Sequence, residues 1–307
     1  MWILRTRDDR RADITLDVYG GEDGLGSPNM GVQFPDYGTY LKGLAESLGV
    51  ADMVRWHGPQ PRDWVFYNVH LEPHVFVSPT LHSDENFGSS VLASLVNGHQ
   101  VVTTAWGGHR DFEQWFPQQL TLLPVRRSTR GPVLDPVLLA DAIGQALERA
   151  ATTVVKDADL DPARAEFSES AATSRALAML GRPDDDPVPL KTSATQQRVD
   201  EQRARFGGKR RIYTDYEDPI GQLLFEAYGM EEPVVFDEQA SYVLPPWVSH
   251  ADQTVRVVDP HRGDQTFGVD AEATPASQVT LCPSMETRRL PQSLVRTLVL
   301  QGYAFSL

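Results

Sequence analysis

A chain of 307 residues, 41% of them apolar and 23% charged, has material for one large core or two ordinary ones. Its 28 Lys and Arg against 42 Asp and Glu leave a net charge of −14, which excludes a nucleic-acid backbone as the main partner, because that surface demands a basic face. A single cysteine, Cys282, excludes an intrachain disulfide and a thiolate metal cluster.

Met1 to Arg11 is charged and does not read as a secretory signal. No run approaches the roughly 20 apolar residues of a membrane span. A cytoplasmic protein with at most peripheral membrane contact is expected.

Ile14, Leu16 and Val18 alternate with polar residues and meet Gly20–Gly21, the pattern of a buried strand and a tight turn. Residues 21–35 are rich in Gly, Pro and Asp and read as a loop. Tyr40, Leu41, Leu44, Ala45 and Leu48 recur at helical spacing until Gly49. Met53 to Trp56 is a short strand ending at Gly58–Pro59, and Asp63 to Tyr67 a short helix. His74 to Ser78 is the next strand, closed by Pro79. Phe87–Gly88–Ser89–Ser90 opens a helix through Val91, Leu92, Leu95 and Val96, stopped by Asn97–Gly98. Val101 to Thr104 is a strand ending before Gly107–Gly108, Leu120 to Leu123 another, and Asp135 to Ala151 a helix with Pro136 in its first turn.

Strands alternating with helices predict an α/β fold, a parallel sheet with helices on both faces. Ligands bind such sheets at the carboxyl ends of the strands. The loops of interest are Gly20–Asp23, Gly58–Pro61, Pro79–Ser90 and Ala105–Asp111, expected along one edge.

Beyond residue 152 the pattern changes. Pro162 to Leu180 reads as one helix, Arg182 to Pro189 as a linker, and Ile220 to Tyr228 as a short amphipathic helix. Val234 to Phe267 is β-rich, with turns at Pro245–Pro246 and Arg262–Gly263. A helix from Pro291 to Leu300, Gly302 and a short strand close the chain. The expected division is 1–151 as a Rossmann-like domain, 152–195 as helix and linker, and 196–307 as a smaller α+β C-terminal region with a winged-helix-like ending and no assigned role.

The strongest local chemistry is Val75 to Pro79 followed by Glu85–Asn86–Phe87–Gly88–Ser89–Ser90. A strand delivers a carboxylate, a glycine and a helix start, whose unpaired N–H groups and partial positive charge suit a phosphate. Gly88 allows close backbone approach, and Glu85 can accept bonds from sugar hydroxyls. An ordinary helix start satisfies the same residues.

Five segments in order sharpen this reading. They are Val54–Arg55–Trp56–His57–Gly58, Val75 to Pro79, Glu85–Asn86–Phe87–Gly88, Asn97 to Val102 and Gly107–Gly108–His109–Arg110–Asp111. Over about residues 13–150 the chain resembles the C-terminal, donor-binding domain of group 1 (family 4) retaining glycosyltransferases, one half of a GT-B fold. The resemblance implies a nucleotide diphosphate-sugar as donor substrate, with no cofactor and no metal. It places Glu85 at the first carboxylate of the family's E-x7-E motif, facing the donor sugar, as the catalytic residue. Phe87, Gly88 and Ser89, with Ser90 beside them, match the segment meeting sugar and phosphate. Gly58 and Pro59 match the loop near the nucleobase, Gly107 and Gly108 a second glycine loop, and Gly20 and Gly21 complete the donor-binding set.

The chain departs from that pattern at Ala93, where the motif's ribose-holding carboxylate falls. The family's Arg and Lys on a segment before Ile14 have no full counterpart, since Arg5, Arg7, Arg10 and Arg11 are unmatched. No segment of these 307 residues is expected to supply the family's acceptor-binding domain, and the acceptor is unassigned. Three readings follow: a glycosyltransferase or its donor-binding half, a degenerate non-catalytic domain acting in protein interaction, and a split enzyme whose partner chain supplies the acceptor domain.

Other groups are weighed against plainer roles. His70 and His74 have metal-pair spacing, but Pro73 interrupts the helix they need. His250, Asp252, Asp259 and His261 suit a metal or turn chemistry. Arg203, Arg205, Lys209, Arg210 and Arg211 form a solvated basic face or an anion contact. Trp106, Trp115 and Phe116 are ligand-stacking or core aromatics, and Cys282 is a small buried residue.

Overall fold

A computed structural model describes residues 1, 3–4, 14–21, 37–61, 64, 74–81, 87–180, 197, 225–251, 253–258, 264–270, 275–282, 284 and 286–307. The chain is mixed α/β, with several small parallel sheets and helices. Contacts divide it into two compact units. One comprises Met1–Val65, Pro124–Gly144 and Met230–Leu307, and the other Phe66–Leu123 and Gln145–Gly229.

In the first unit, β1 (Leu16–Tyr19) and β2 (Val54–Gly58) form a parallel pair, Leu16 opposite Val54. The connection carries α1 (Tyr37–Ser47). Ala45, Val50 and Met53 form its small core, against Ile14, Leu48 and Val54. In the second unit, β3 (Val75–Ser78), β4 (Gln100–Thr104) and β5 (Leu120–Leu123) form a three-stranded parallel sheet in sequence order. Between β3 and β4 runs α2 (Ser89–Val96). Every residue of β4 is buried, as befits a central parallel strand. Val91, Leu95, Val101, Phe112, Phe116 and Leu160 make the core.

The strands expected to share one sheet therefore fall in two hydrogen-bonded sheets, in separate units. The alternation of apolar residues fixed which segments are extended; pairing depends on partners far along the chain, which no local period encodes.

The first unit continues through β6 (Val125–Ser128), β7 (Gly131–Val133) and β8 (Met230–Pro233). β6 pairs antiparallel with β7 and parallel with β8. β9 (Tyr242–Leu244), β13 (Ala276–Leu281), β14 (Thr287–Pro291) and β15 (Phe305–Ser306) form a four-stranded sheet of order β14-β13-β9-β15. A meander of β10 (Val248–Ala251), β11 (Thr254–Val257) and β12 (Gln265–Gly268) lies beside it in sequence. The chain ends in α6 (Gln292–Leu300), the left-handed Gly302 (φ 74°) and β15, as the sequence pattern predicted. Leu294, Val295, Leu298 and Val299 bury its apolar face against Tyr242, Leu244, Val279 and Leu290. Residues 182–189 and 262–263 lie outside the described residues. Of the expected helix at 220–228, residues 225–228 are described, and they are helical.

Two helices replace the single one expected over 162–180: α4 (Asp157–Glu166) and α5 (Glu169–Leu180). Ser168 makes the break, accepting the Ala171 N–H at 3.2 Å on its hydroxyl, a side-chain cap that restarts the helix. Phe167, beside it, turns into an aromatic cluster with Phe112, Trp115 and Phe116.

The long helix α3 (Pro136–Thr152) begins with a cap of measurable consequence. Asp135 Oδ1 accepts the N–H groups of Val137 (2.8 Å) and Leu138 (3.4 Å). Burial pushes its carboxyl above the ordinary value, against the opposing pull of those bonds and of Arg126. A raised carboxyl favours folding below its unfolded pKa, and that contribution is lost as pH rises through the folded value. Asp135→Asn keeps an oxygen cap without charge, so it should match or exceed wild-type stability at pH 7 and lose any advantage at pH 4. Asp135→Ala should lose ~1 kcal/mol at pH 7. Urea denaturation at both pH values checks this; an asparagine variant as weak as the alanine one at pH 7 contradicts it.

Candidate ligand-binding edges

In the β3–β4–β5 unit, the carboxyl ends of the strands are stitched by threonines. Thr103 donates its hydroxyl to the Ser78 carbonyl at 2.8 Å, and Thr104 donates to the Thr80 carbonyl at 2.6 Å. Thr103 Oγ1 also lies 2.9 Å from His109 Nδ1. A carbonyl only accepts, so the threonine proton is committed to Ser78 and the lone pair faces the imidazole; His109 Nδ1 must carry a proton. The ring is fully buried.

His109 is why residue 88 is glycine. Gly88 precedes α2 in the left-handed conformation (φ 76°, ψ 54°). A Cβ there would lie 2.4 Å from His109 Cδ2 and 2.5 Å from Nε2. The first N–H groups of α2, at Ser89 and Ser90, are those a helix leaves without an intrahelical partner, and both residues are exposed. Phe87 is 46% exposed and meets Phe112 edge-on at 5.5 Å. The structure thus brings Phe87, Gly88, Ser89 and Ser90 beside the turn Gly107–Phe112, which contains Gly107 and Gly108. Glu85 lies outside the described residues. Ala93 sits half-buried within α2.

In the other unit, Gly20, Gly21, Gly58 and Pro59 come together at the carboxyl ends of β1 and β2. Gly20 N–H donates to the Gly58 carbonyl at 3.0 Å. A Cβ on Gly21 would meet Pro59 Cγ at 2.7 Å. Gly58 is left-handed at φ 67°. The one edge expected for all four loops is replaced by two strand-end edges, each described within its own unit.

Trp106 and Phe116 are fully buried, so they are core aromatics rather than ligand platforms. Trp106 packs on Tyr228 at 5.3 Å and Phe225 at 5.9 Å. Trp115 packs on Phe167 at 5.9 Å. Cys282 is buried, and burial pushes its thiol up to about 12, leaving negligible thiolate near neutral pH.

His74 stacks on His99 at 3.9 Å, while His70 lies outside the described residues. Of the second proposed metal group only His250 is described, and the basic run 203–211 also lies outside. Among the described residues no group of three His, Cys, Asp or Glu could hold a metal ion, and no helix is long and apolar enough to cross a membrane.

The positions that sequence reasoning missed are Thr103 and His109 as the groups that shape the Gly88 turn. For Thr103 the signal was a polar residue near the end of a strand after two valines; for His109, in the turn beyond, spacing gave none. No protein-family model, no curated protein and no solved structure matches the chain.

Proposed function

We propose that the chain binds a nucleotide diphosphate-sugar, as the donor-binding, Rossmann-like half of a retaining glycosyltransferase of GT-B type. The observation that carries this reading is Gly88, left-handed at the start of α2 and packed on a buried histidine at the carboxyl ends of parallel strands. Three sequential parallel strands with a helix crossover support it further, as one arm of a doubly wound sheet has that order. The N–H groups of the exposed residues Ser89 and Ser90 would face the diphosphate, and Glu85 would orient the sugar. Stabilising charge on the departing phosphate is the catalytic requirement, and no metal is needed where the helix dipole and basic side chains supply it. The acceptor is a hydroxyl compound.

Ala93 favours a second reading, a degenerate domain that binds a partner protein or a nucleotide without catalysis. Alanine cannot accept a bond from a ribose hydroxyl. One experiment addresses both. Calorimetry compares wild type, Glu85→Ala and Ala93→Glu against nucleoside diphosphates and their sugar conjugates. The transferase reading expects Glu85→Ala to abolish the preference for the conjugate over the diphosphate. Tighter nucleotide binding by Ala93→Glu would reveal a ribose pocket lacking its carboxylate. Identical titrations for wild type and Glu85→Ala would remove that residue from the site.

A further inference from the structure

The carboxyl ends of β1 and β2 hold a second arrangement of polar groups that the nucleotide-sugar reading does not use. His57 Nε2 lies 2.6 Å from Asp17 Oδ1, across the strand pair. The Tyr19 ring stacks flat against the imidazole, centroids 4.4 Å apart and 8° from parallel. The His57 carbonyl accepts from Gln60 Nε2 at 3.0 Å, and the Gly20–Gly58 bond closes the backbone immediately beyond. Both His57 and Asp17 side chains are one-third exposed.

A carboxylate only accepts, so Asp17 places the imidazole proton on Nε2. The neutral ring then presents Nδ1 as a lone pair, and none of the described residues supplies it a donor. The side chain is thus oriented by a carboxylate and backed by an aromatic ring, with its accepting nitrogen uncommitted among the described residues. An ion pair serving stability alone contributes little at such exposure. Its position at the ends of parallel strands is where this class of sheet receives ligands.

We propose that His57 is a ligand-binding acceptor, held by Asp17 and Tyr19, whose Nδ1 takes a hydrogen bond from a small polar ligand. The donor is a sugar hydroxyl or a ring N–H of a nucleobase, two sources of the same chemistry. The proposal needs nothing from the Gly88 turn; it adds a side-chain contact beside Gly58, which the resemblance sets near the nucleobase without assigning His57 a role.

Nitrogen-detected NMR of the full chain with 15N-labelled histidine tests it, the His57 signals being assigned by their loss in His57→Gln. The expected wild-type signals are those of an Nε2-protonated tautomer, giving way to mixed tautomers in Asp17→Asn. Titration with D-ribose, D-glucose and uridine, separately, should move the Nδ1 resonance, and Asp17→Asn should weaken that response. Movement with the sugars identifies a hydroxyl donor; movement with uridine alone identifies the base. An Nδ1-protonated tautomer in wild type, or an Nδ1 resonance unmoved by all three probes, overturns the proposal. Nucleotide binding at Gly88 with His57 silent would leave the donor reading intact and still overturn this one.

Discussion

Gly88→Ala is expected to destabilise the protein by ~2–5 kcal/mol, far more than a methyl group on an open turn would. Two costs add. The left-handed backbone at φ 76° penalises any L side chain by ~1–2 kcal/mol. The new Cβ would stand 2.4 Å from a buried ring that Thr103 pins by its Nδ1, an overpacking worth ~1–3 kcal/mol. The second cost vanishes when the ring is removed. In a His109→Ala background, Gly88→Ala should therefore retain only the backbone penalty. A double-mutant cycle by urea denaturation reads the coupling directly. Strict additivity of the two substitutions would show that His109 does not dictate glycine at this turn.

Trp106→Ala should be the more damaging core change, at ~3–5 kcal/mol. The indole is fully buried between the end of β4 and residues 225–228, stacked near Tyr228 and Phe225. The following Gly229, at φ 110°, lies so near the Ala105 carbonyl that a Cβ would approach it to 2.5 Å. Removing the indole takes away the apolar anchor of that segment, so cleavage near 225–229 by a nonspecific protease should accelerate together with the loss of stability. Wild-type stability and protease resistance in Trp106→Ala would place the ring outside the core and restore it as a ligand platform.

What the sequence made legible was local. The strand at Leu16–Tyr19, the buried Gln100–Thr104 segment and the helix–Gly302–strand ending were readable because their patterns complete themselves within a few residues, although β1 is not the buried strand its alternation suggested, since Leu16 is exposed. Glycines at 20, 58, 88 and 107 were readable as turns, and all four are left-handed or otherwise at positive φ. Pairing was not readable. Val125 lies opposite Met230, more than a hundred residues on, and nothing in either segment names the other. The break at Ser168 was missed because helical spacing persists across it, whereas the hydroxyl cap that interrupts it competes with the helix for the same N–H groups. At the site, Gly88 was singled out for ligand approach; its neighbour His109, which a Cβ would strike, was seen only as part of a glycine motif. That requirement is a through-space contact and leaves no spacing to read.

The central claim is that the Gly88 turn seats the phosphates of a nucleotide-sugar. Calorimetric titration of the full chain with uridine, guanosine, adenosine and thymidine diphosphates and their glucose conjugates tests it most directly, with Gly88→Trp as the blocked control. The account predicts saturable binding of one nucleotide by wild type, absent in a folded Gly88→Trp. No heat of binding from any of the panel at millimolar ligand, or equal binding by the blocked variant, would contradict it.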